Sequence, residues 1–343
     1  MIEYSTPLVT VYIPVFNGEK FVVEAVTSVL NQTYTNFELI IVNDGSTDHT
    51  LQLLKNLDDN RIKLIDLSEN KGNCYAANIA LRQARGKYII RMDADDISFP
   101  NRIEEQVVYM ESNPEVVLSG ASMKLISANS DKSEVWKYPK SPETAKAAFI
   151  FKCGVMQPIS IVRTETIHNN QLFYDESNRD SYAEDYDLFY RISKLGKLGN
   201  IDKVLLYYRR HESNLTVTTS LDKAKKLRSA IYLTVLKDMG FDEQAIDLDA
   251  HLGLRRLLPE DFEPEFVLRI FDWSKKLREM NSKTGYFDQN ALDQTLLDYE
   301  DQLFYKISQK GRKYIQAYKK RKPLNAVQKR YWVMSRVNRF LGR

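Results

Sequence analysis

Residues 8–48 read LVTVYIPVFNGEKFVVEAVTSVLNQTYTNFELIIVNDGSTD, and this stretch decides the fold. Leu8 to Val15 is a nearly continuous apolar run rich in β-branched residues, the pattern of a strand buried on both faces. Asn17-Gly18 breaks it, and Glu19 to Asn31 then carries Phe21, Ala25, Val26, Val29 and Leu30 at close to helical spacing. Phe37 to Val42 (FELIIV) is a second strand. It ends in Asn43-Asp44-Gly45-Ser46-Thr47-Asp48, whose side-chain oxygens can cap a helix over His49 to Leu57. Strand, helix and strand in this order make a parallel pair with a crossover helix.

The same alternation continues. Ile62 to Leu67 is a third strand, Tyr75 to Arg85 a helix stopped by Gly86, and Tyr88 to Met92 a fourth strand ending on Asp93-Ala94-Asp95-Asp96. Ligands of open α/β sheets bind outside the carboxyl ends of the strands, so Asn17, Asp44 and the aspartate cluster can converge there. Between 101 and 200 the chain mixes a helix (Arg102 to Glu111), strands (Val116 to Gly120, Ile159 to Arg163) and loops, and Lys203 to Arg209 is a further strand. Past 220 the pattern is helical. The expected organisation is an α/β domain over 1–220 with a Rossmann-like, mostly parallel sheet, a helical region over 221–305, and a basic amphipathic tail over 306–343.

Composition narrows the class. In 343 residues, 43% hydrophobic with 20 Tyr and 15 Phe, there is ample material for a core, which excludes a disordered chain. The net charge of +3 conceals a split: 306–343 holds 13 Lys or Arg and no acid, which leaves 36 basic and 46 acidic side chains in 1–305. Cys74 and Cys153 are too few for a disulfide framework and have no metal-ligand spacing, which points to a reducing compartment. No secretion signal and no run of 18 apolar residues are visible, so a cytoplasmic protein is expected. On a helical wheel Val327, Tyr331, Met334, Val337 and Leu341 share one face, and Lys329, Arg336, Arg339 and Arg343 lie opposite. That pattern suits a helix lying on an anionic membrane surface, peripheral at its cytoplasmic face, or a helix docked on the acidic body. The acidic remainder argues against nucleic acid as a partner.

Three acidic or basic clusters carry the chemistry. Asp93, Asp95 and Asp96 repel one another unless a cation shares the site, and oxygen ligands favour Mg²⁺ or Mn²⁺; a solvated acidic turn would use the same residues. Glu184-Asp185, with Asp187, opens an apolar helix pattern, where carboxylates also favour the helix dipole. Tyr207-Tyr208-Arg209-Arg210-His211 offers guanidinium groups for a diphosphate and an imidazole for a metal, or a solvated strand end.

Taken together, VTVYIPVFNGEKF…IIVNDGSTD, ENKGNCYAANIALRQARGKYIIRMDADD, AEDYDL and YYRRHESNLT strongly resemble the family 2 glycosyltransferases of the GT-A fold, over roughly residues 7–215. The resemblance implies an inverting, non-processive hexosyltransferase of the bacterial surface-polysaccharide type. Its donor would be a UDP-sugar carrying a hexose or N-acetylhexosamine, its acceptor a glycan or lipid-linked saccharide. It implies that Pro14, Phe16, Asn17 and Glu19 border the nucleotide, that Asp44 reads the base, and that Asn73 and Asn78 sit on the helix closing over it. Asn43 stands where the family often has an acid. Asp93-Ala94-Asp95 matches the DxD motif, with Asp95 a metal ligand and Asp93 on the ribose or metal. Asp185, beside Glu184, matches the catalytic base. Arg209 and His211 match the segment that meets the diphosphate and the metal, Mn²⁺ or Mg²⁺.

Physical requirements agree with that assignment. An acceptor hydroxyl needs a carboxylate to take its proton, and the leaving nucleoside diphosphate needs positive charge beside it. Arg210 is followed by His211, so the Gln/Arg-x-x-Arg-Trp motif of processive members is missing. Phe151 to Pro158 reads either as part of the acceptor side or as an irregular connector. A nucleotidyltransferase would instead lead with a Gly-rich basic loop, and a non-catalytic sugar-nucleotide-binding protein would be expected to lack Asp95, Asp185 or His211.

Overall fold

The computed structural model describes residues 6–127, 134–177, 183–212, 214, 220–321 and 323–340. They form two compact units, Met1–Ser220 and Leu221–Arg343. The first is built on one sheet whose leading strands are β1 (Val9–Val15), β2 (Phe37–Asn43), β3 (Ile62–Asp66) and β4 (Tyr88–Arg91). They lie side by side in the order β3-β2-β1-β4, all parallel. Helices α1 (Val22–Leu30), α2 (Thr50–Lys55) and α3 (Asn73–Gln83) make the crossovers, and α4 (Arg102–Ser112), α5 (Pro142–Ala147), α6 (Thr164–Asn169) and α7 (Glu184–Ile192) follow in the same unit. β1 and β2 are buried at every position, as strands covered on both faces must be. Pro14 is tolerated because the β1–β4 ladder stops at Tyr12–Arg91, which leaves it a ladder partner only on β2.

The half beyond β4 is mixed rather than mostly parallel. Its strands are β5 (Ile97–Ser98), β6 (Val116–Ser127), β7 (Val135–Trp136), β8 (Ile161–Arg163) and β9 (Lys197–Arg210). β8 runs antiparallel to both β4 and β6, whereas β6 and β9 are parallel and β5 is antiparallel to β9. β6 and β9 are longer than expected from sequence because they pair along almost their whole length, through register shifts. Ile159 belongs to a 3-10 turn, Gln157–Ile159, so β8 starts two residues later than its apolar run implies. The short β5 directs the functional end of the sheet: Ile97 and Ser98 pair with Tyr207 and Leu206, which brings Arg209 and His211 against the aspartates just before β5.

At the opposite end the strands are stitched by polar groups. The Thr10 hydroxyl donates to Glu38 (2.7 Å), Arg85 Nε donates to the same carboxylate (2.8 Å), and the Gly86 N–H donates to Thr10 Oγ1 (2.9 Å). Gly86 is needed there for space, since a Cβ would lie 2.4 Å from the Thr10 nitrogen.

The second unit is helical: α8 (Leu221–Asp238), α9 (Leu248–Leu254), α10 (Pro264–Thr284), α11 (Gln289–Lys310), α12 (Arg312–Arg321) and α13 (Ala326–Phe340). The boundary expected at 305/306 falls inside α11. The basic segment does not stand apart: α12 packs on α10 and α11, α13 packs on α11, and Ile315 and Tyr318 are buried with Trp273, Leu303 and Phe304 in the unit's core. Among the described residues no helix is long and apolar enough to cross a membrane. Overpacking at the sheet end should be severe, so Gly86→Ala is expected to lower stability by about 2–3 kcal/mol. Urea denaturation checks this; an unchanged midpoint would contradict the close approach.

Candidate active site

The carboxyl ends of β1, β2 and β4 open on one side of the sheet, and the loops there are tied to one another. The Asn17 side chain accepts from the Thr47 N–H (2.8 Å), while its own N–H donates to Ser46 Oγ (2.9 Å). Glu19 accepts from the His49 N–H (3.0 Å), and Asp48 accepts from Thr50 N at the start of α2 (3.0 Å). Asn17 and Glu19 therefore brace the β1 loop on the β2 loop, which also delays α1 to Val22. Pro14 is buried, and Phe16 leaves its ring 47% exposed at the loop tip.

Asp44 ends β2 almost fully buried, with Oδ1 accepting from Lys71 N (2.7 Å) and Oδ2 from Gly72 N (2.9 Å). Gly72 has φ +97°, a backbone that favours glycine, and it precedes Asn73, the first residue of α3. Asn43 turns the other way and donates to Asp66 of β3 (2.7 Å), so the departure from the family's acidic pair falls on a residue directed at a neighbouring strand.

From Asn73 a continuous polar chain runs through the site. Its Oδ1 accepts from Arg91 Nη2 (3.3 Å) and its Nδ2 donates to Glu184 Oε1 (3.4 Å). Arg91 Nε donates to Asp93 (2.9 Å). Gln157 Nε2 reaches both the Tyr174 hydroxyl (3.2 Å) and Glu184 (3.5 Å), and the Tyr12 and Tyr174 hydroxyls lie 3.1 Å apart. Burial works against the Arg91 charge, but Asp93, Tyr12, Tyr174 and Glu184 together hold it well above the ordinary guanidinium range. The Glu184 carboxyl is withdrawn from solvent; burial, and then the Asp185 charge, push it up to about 7. Asp185 is half-buried and accepts from the Tyr186 N–H (2.8 Å) at the start of α7 (Glu184–Ile192). Ala183, just before it, has φ +72°, a left-handed conformation costly for alanine, and the strain sits at the turn that presents the acidic pair.

Asp93, Asp95 and Asp96 each offer a carboxylate oxygen within 4.8 Å of the others. His211 Nε2 lies 2.8 Å from Asp95 Oδ2, which also accepts from Asn214 Nδ2 (3.1 Å). Phe21 stacks on the imidazole with ring centroids 5.2 Å apart. Burial, reinforced by Asp93, raises Asp95, while His211 opposes the rise. Asp96 is fully buried and raised well above the carboxylate range, chiefly by burial and then by Asp95 and Asp93. Its Oδ1 accepts from Arg209 N (2.8 Å), whereas its buried Oδ2 has no partner among the described residues. Beneath it Arg102, lowered to about 10 by burial, donates to the carbonyls of Arg91 (2.6 Å) and Pro158 (3.0 Å).

Two expected site residues are placed differently. The Arg209 guanidinium lies over Phe21 and donates to the Asp95 carbonyl (2.9 Å) and to Glu24 (2.6 Å), so in this conformation it braces the aspartate loop instead of facing a diphosphate. Asn78 is fully buried, and its amide is taken up by Tyr174 N, Tyr174 O and Glu176. It is a strut for the 174–176 loop and does not line the cleft. Arg91, Tyr12, Tyr174 and Asn214 were not singled out from sequence. A charge inside the apolar strand YIIRM was the available signal for Arg91; the tyrosines read as ordinary core.

The sheet and its loops have the architecture of a GT-A glycosyltransferase, and comparison with known proteins agrees. The family model Glycosyl transferase family 2 matches residues 10–165. An uncharacterized glycosyltransferase of Haemophilus influenzae is 33% identical over 257 residues, 71% of this chain and 79% of that one. The O-antigen biosynthesis glycosyltransferase WbnJ of Escherichia coli is 32% identical over 60% of this chain and 81% of its own. Among solved structures, S. aureus TarS 1-349 in complex with UDP-GlcNAc superposes with a TM-score of 0.56 at 19% identity, over 98% of this chain and 92% of that one. The chain belongs to glycosyltransferase family 2.

The raised Glu184 gives a pH signature. Because its folded value of about 7 exceeds the ordinary 4.5, its contribution to stability is intact at low pH and is lost as pH rises through that interval. Glu184→Gln removes the titration, so the variant should keep its melting temperature where the parent declines, a difference on the order of 3 kcal/mol at most. Parallel melting curves across pH would contradict the assignment.

Proposed function

We propose that the protein transfers a hexose or N-acetylhexosamine from a UDP-sugar to a hydroxyl of a glycan or lipid-linked acceptor, with inversion, at a membrane face approached by its basic tail. The observation that carries this reading is the chain of contacts Asp44–Gly72–Asn73–Arg91–Asp93, with Glu184 on Asn73 and His211 on Asp95. It joins the expected nucleotide, metal and base residues although they come from five parts of the sequence. The TarS complex with UDP-GlcNAc supports a UDP-sugar donor in the same fold.

The acidic cluster fits a divalent cation. Three carboxylates lie within 4.8 Å of one another beside the His211 imidazole, and the buried Asp96 Oδ2 has no partner among the described residues. Asp93, Asp95 and His211 would hold Mn²⁺ or Mg²⁺, which when bound offsets charge on the leaving diphosphate.

The remaining steps fall to the chain's own groups. Asp185 accepts the acceptor hydroxyl's proton as that oxygen bonds to the anomeric carbon, and the bond from that carbon to the UDP oxygen breaks. One base and one in-line displacement invert the configuration. Glu184, raised by its surroundings, holds a proton near neutral pH and so lowers the repulsion that Asp185 meets. Arg209 keeps the aspartate loop in place.

UDP release from a panel of UDP-sugars, with and without Mn²⁺, tests this. Asp185→Asn should lower turnover by about 10²–10⁴-fold with UDP still bound, and Asp95→Ala should abolish the metal dependence. Tight UDP-sugar binding with no turnover in any condition would favour a non-catalytic binding protein.

A further inference from the structure

In the second unit, α12 and α13 enclose a groove of about 520 Å³ lined by Lys319, Pro323, Leu324, Lys329, Trp332 and Val333. The arrangement is fixed from below. Asp301 of α11 accepts from both Asn325 Nδ2 (2.8 Å) and Gln328 Nε2 (2.7 Å), and the buried Gln328 also accepts from the Tyr318 hydroxyl (2.8 Å). This clamp decides which side of α13 faces inward. Leu324 and Gln328 are buried and Tyr331 is half-buried against Tyr305, whereas Val327, Val333 and Met334 are 44%, 54% and 45% exposed. The apolar face expected from the helical wheel is therefore divided: Tyr331 packs inward while Val327 and Met334 face solvent. Leu341 and Arg343 lie outside the described residues, as do the side chains of Arg336, Val337 and Arg339.

What remains outward is apolar surface interleaved with cations. Lys319 Nζ sits 3.8 Å above the Trp332 ring, and Lys329 and Arg330 are exposed on the same helix as Val333 and Met334. Neither Lys319 nor Lys329 forms an ion pair among the described residues. Residues 306–343 hold 13 basic side chains and no acid of their own, and of these Lys313 pairs with Glu263 at 3.0 Å. A buried protein interface would strip water from these lysines. A lipid surface would let their aliphatic stems lie along the apolar groups with the ammonium groups at headgroup level, and it suits an indole at that depth.

We infer that this groove and the outward side of α13 dock on an anionic phospholipid surface, with headgroup phosphates taken between Lys319 and Lys329 and with Trp332, Val333 and Met334 at the interface. The inference deepens the membrane-facing part of the proposed function and rests on that reading for its purpose. Its physics is independent of catalysis, because no groove residue belongs to the donor site.

The test is flotation of the full chain with phosphatidylcholine vesicles, with and without phosphatidylglycerol. The parent should partition only to the anionic vesicles, less at high salt, and Trp emission should be quenched by brominated lipid. Lys319→Gln with Lys329→Gln should weaken partitioning by about 25-fold, at roughly fivefold per basic residue. Lys319→Arg with Lys329→Arg should retain it, and Trp332→Phe should remove the lipid quenching. Both lysine variants should keep the parent's metal-dependent UDP release, which separates failure here from failure of the catalytic reading. Equal partitioning of the parent and the Gln variant would overturn the inference. So would no binding to anionic vesicles, or concentration-dependent dimers of the parent that Val333→Asp dissolves, which would assign the face to a second copy of the chain.

Discussion

Crowding of Asp93, Asp95 and Asp96 at the end of β4 is the constraint to which the rest of the first unit responds. Three carboxylates within 4.8 Å, one of them fully buried, cannot all stay ionised on their own. The fold surrounds them with Arg91 on Asp93, the Arg209 N–H on Asp96, Arg102 beneath and His211 on Asp95. Even so, Asp95 and Asp96 remain raised, and one Asp96 oxygen has no partner among the described residues. The uncompensated negative charge is what a divalent cation would offset there, and that cation would in turn attract an anionic diphosphate.

Arg91 links this cluster to the other half of the site. Through Asn73 it reaches Glu184, and Gln157 continues the path to Tyr174 and Tyr12. The acidic pair at the start of α7 is thus positioned by the same buried guanidinium that holds Asp93. Asp93 and Glu184 thus share one polar network, built at the ends of β1 and β4.

The parallel half of the sheet was readable because β1, β2 and β4 are buried on both faces and the strands alternate with helices, a pattern carried by local residues such as those of Leu8–Val15 and Phe37–Val42. The mixed half was not, because β5, β7 and β8 are two or three residues long and their pairings are set by distant partners. Motif order brought Asp44, Asp93, Asp95, Glu184 and His211 to one edge. It could not show that Arg209 and Asn78 spend their polar groups on bracing, since that depends on Glu24, Phe21 and Tyr174. In the second unit, charge counting found the basic segment, but the clamp on Asp301 determines which of its apolar residues are left exposed.

In the function proposed above, the aspartate cluster with His211 forms a cation-dependent site for a nucleoside diphosphate. Calorimetric titration of UDP in the presence of Mn²⁺, and again with chelator, tests it most directly. Affinity should rise by an order of magnitude or more with the metal, and His211→Ala should erase the gain without unfolding the protein. Equal UDP affinity with and without divalent cation would contradict it.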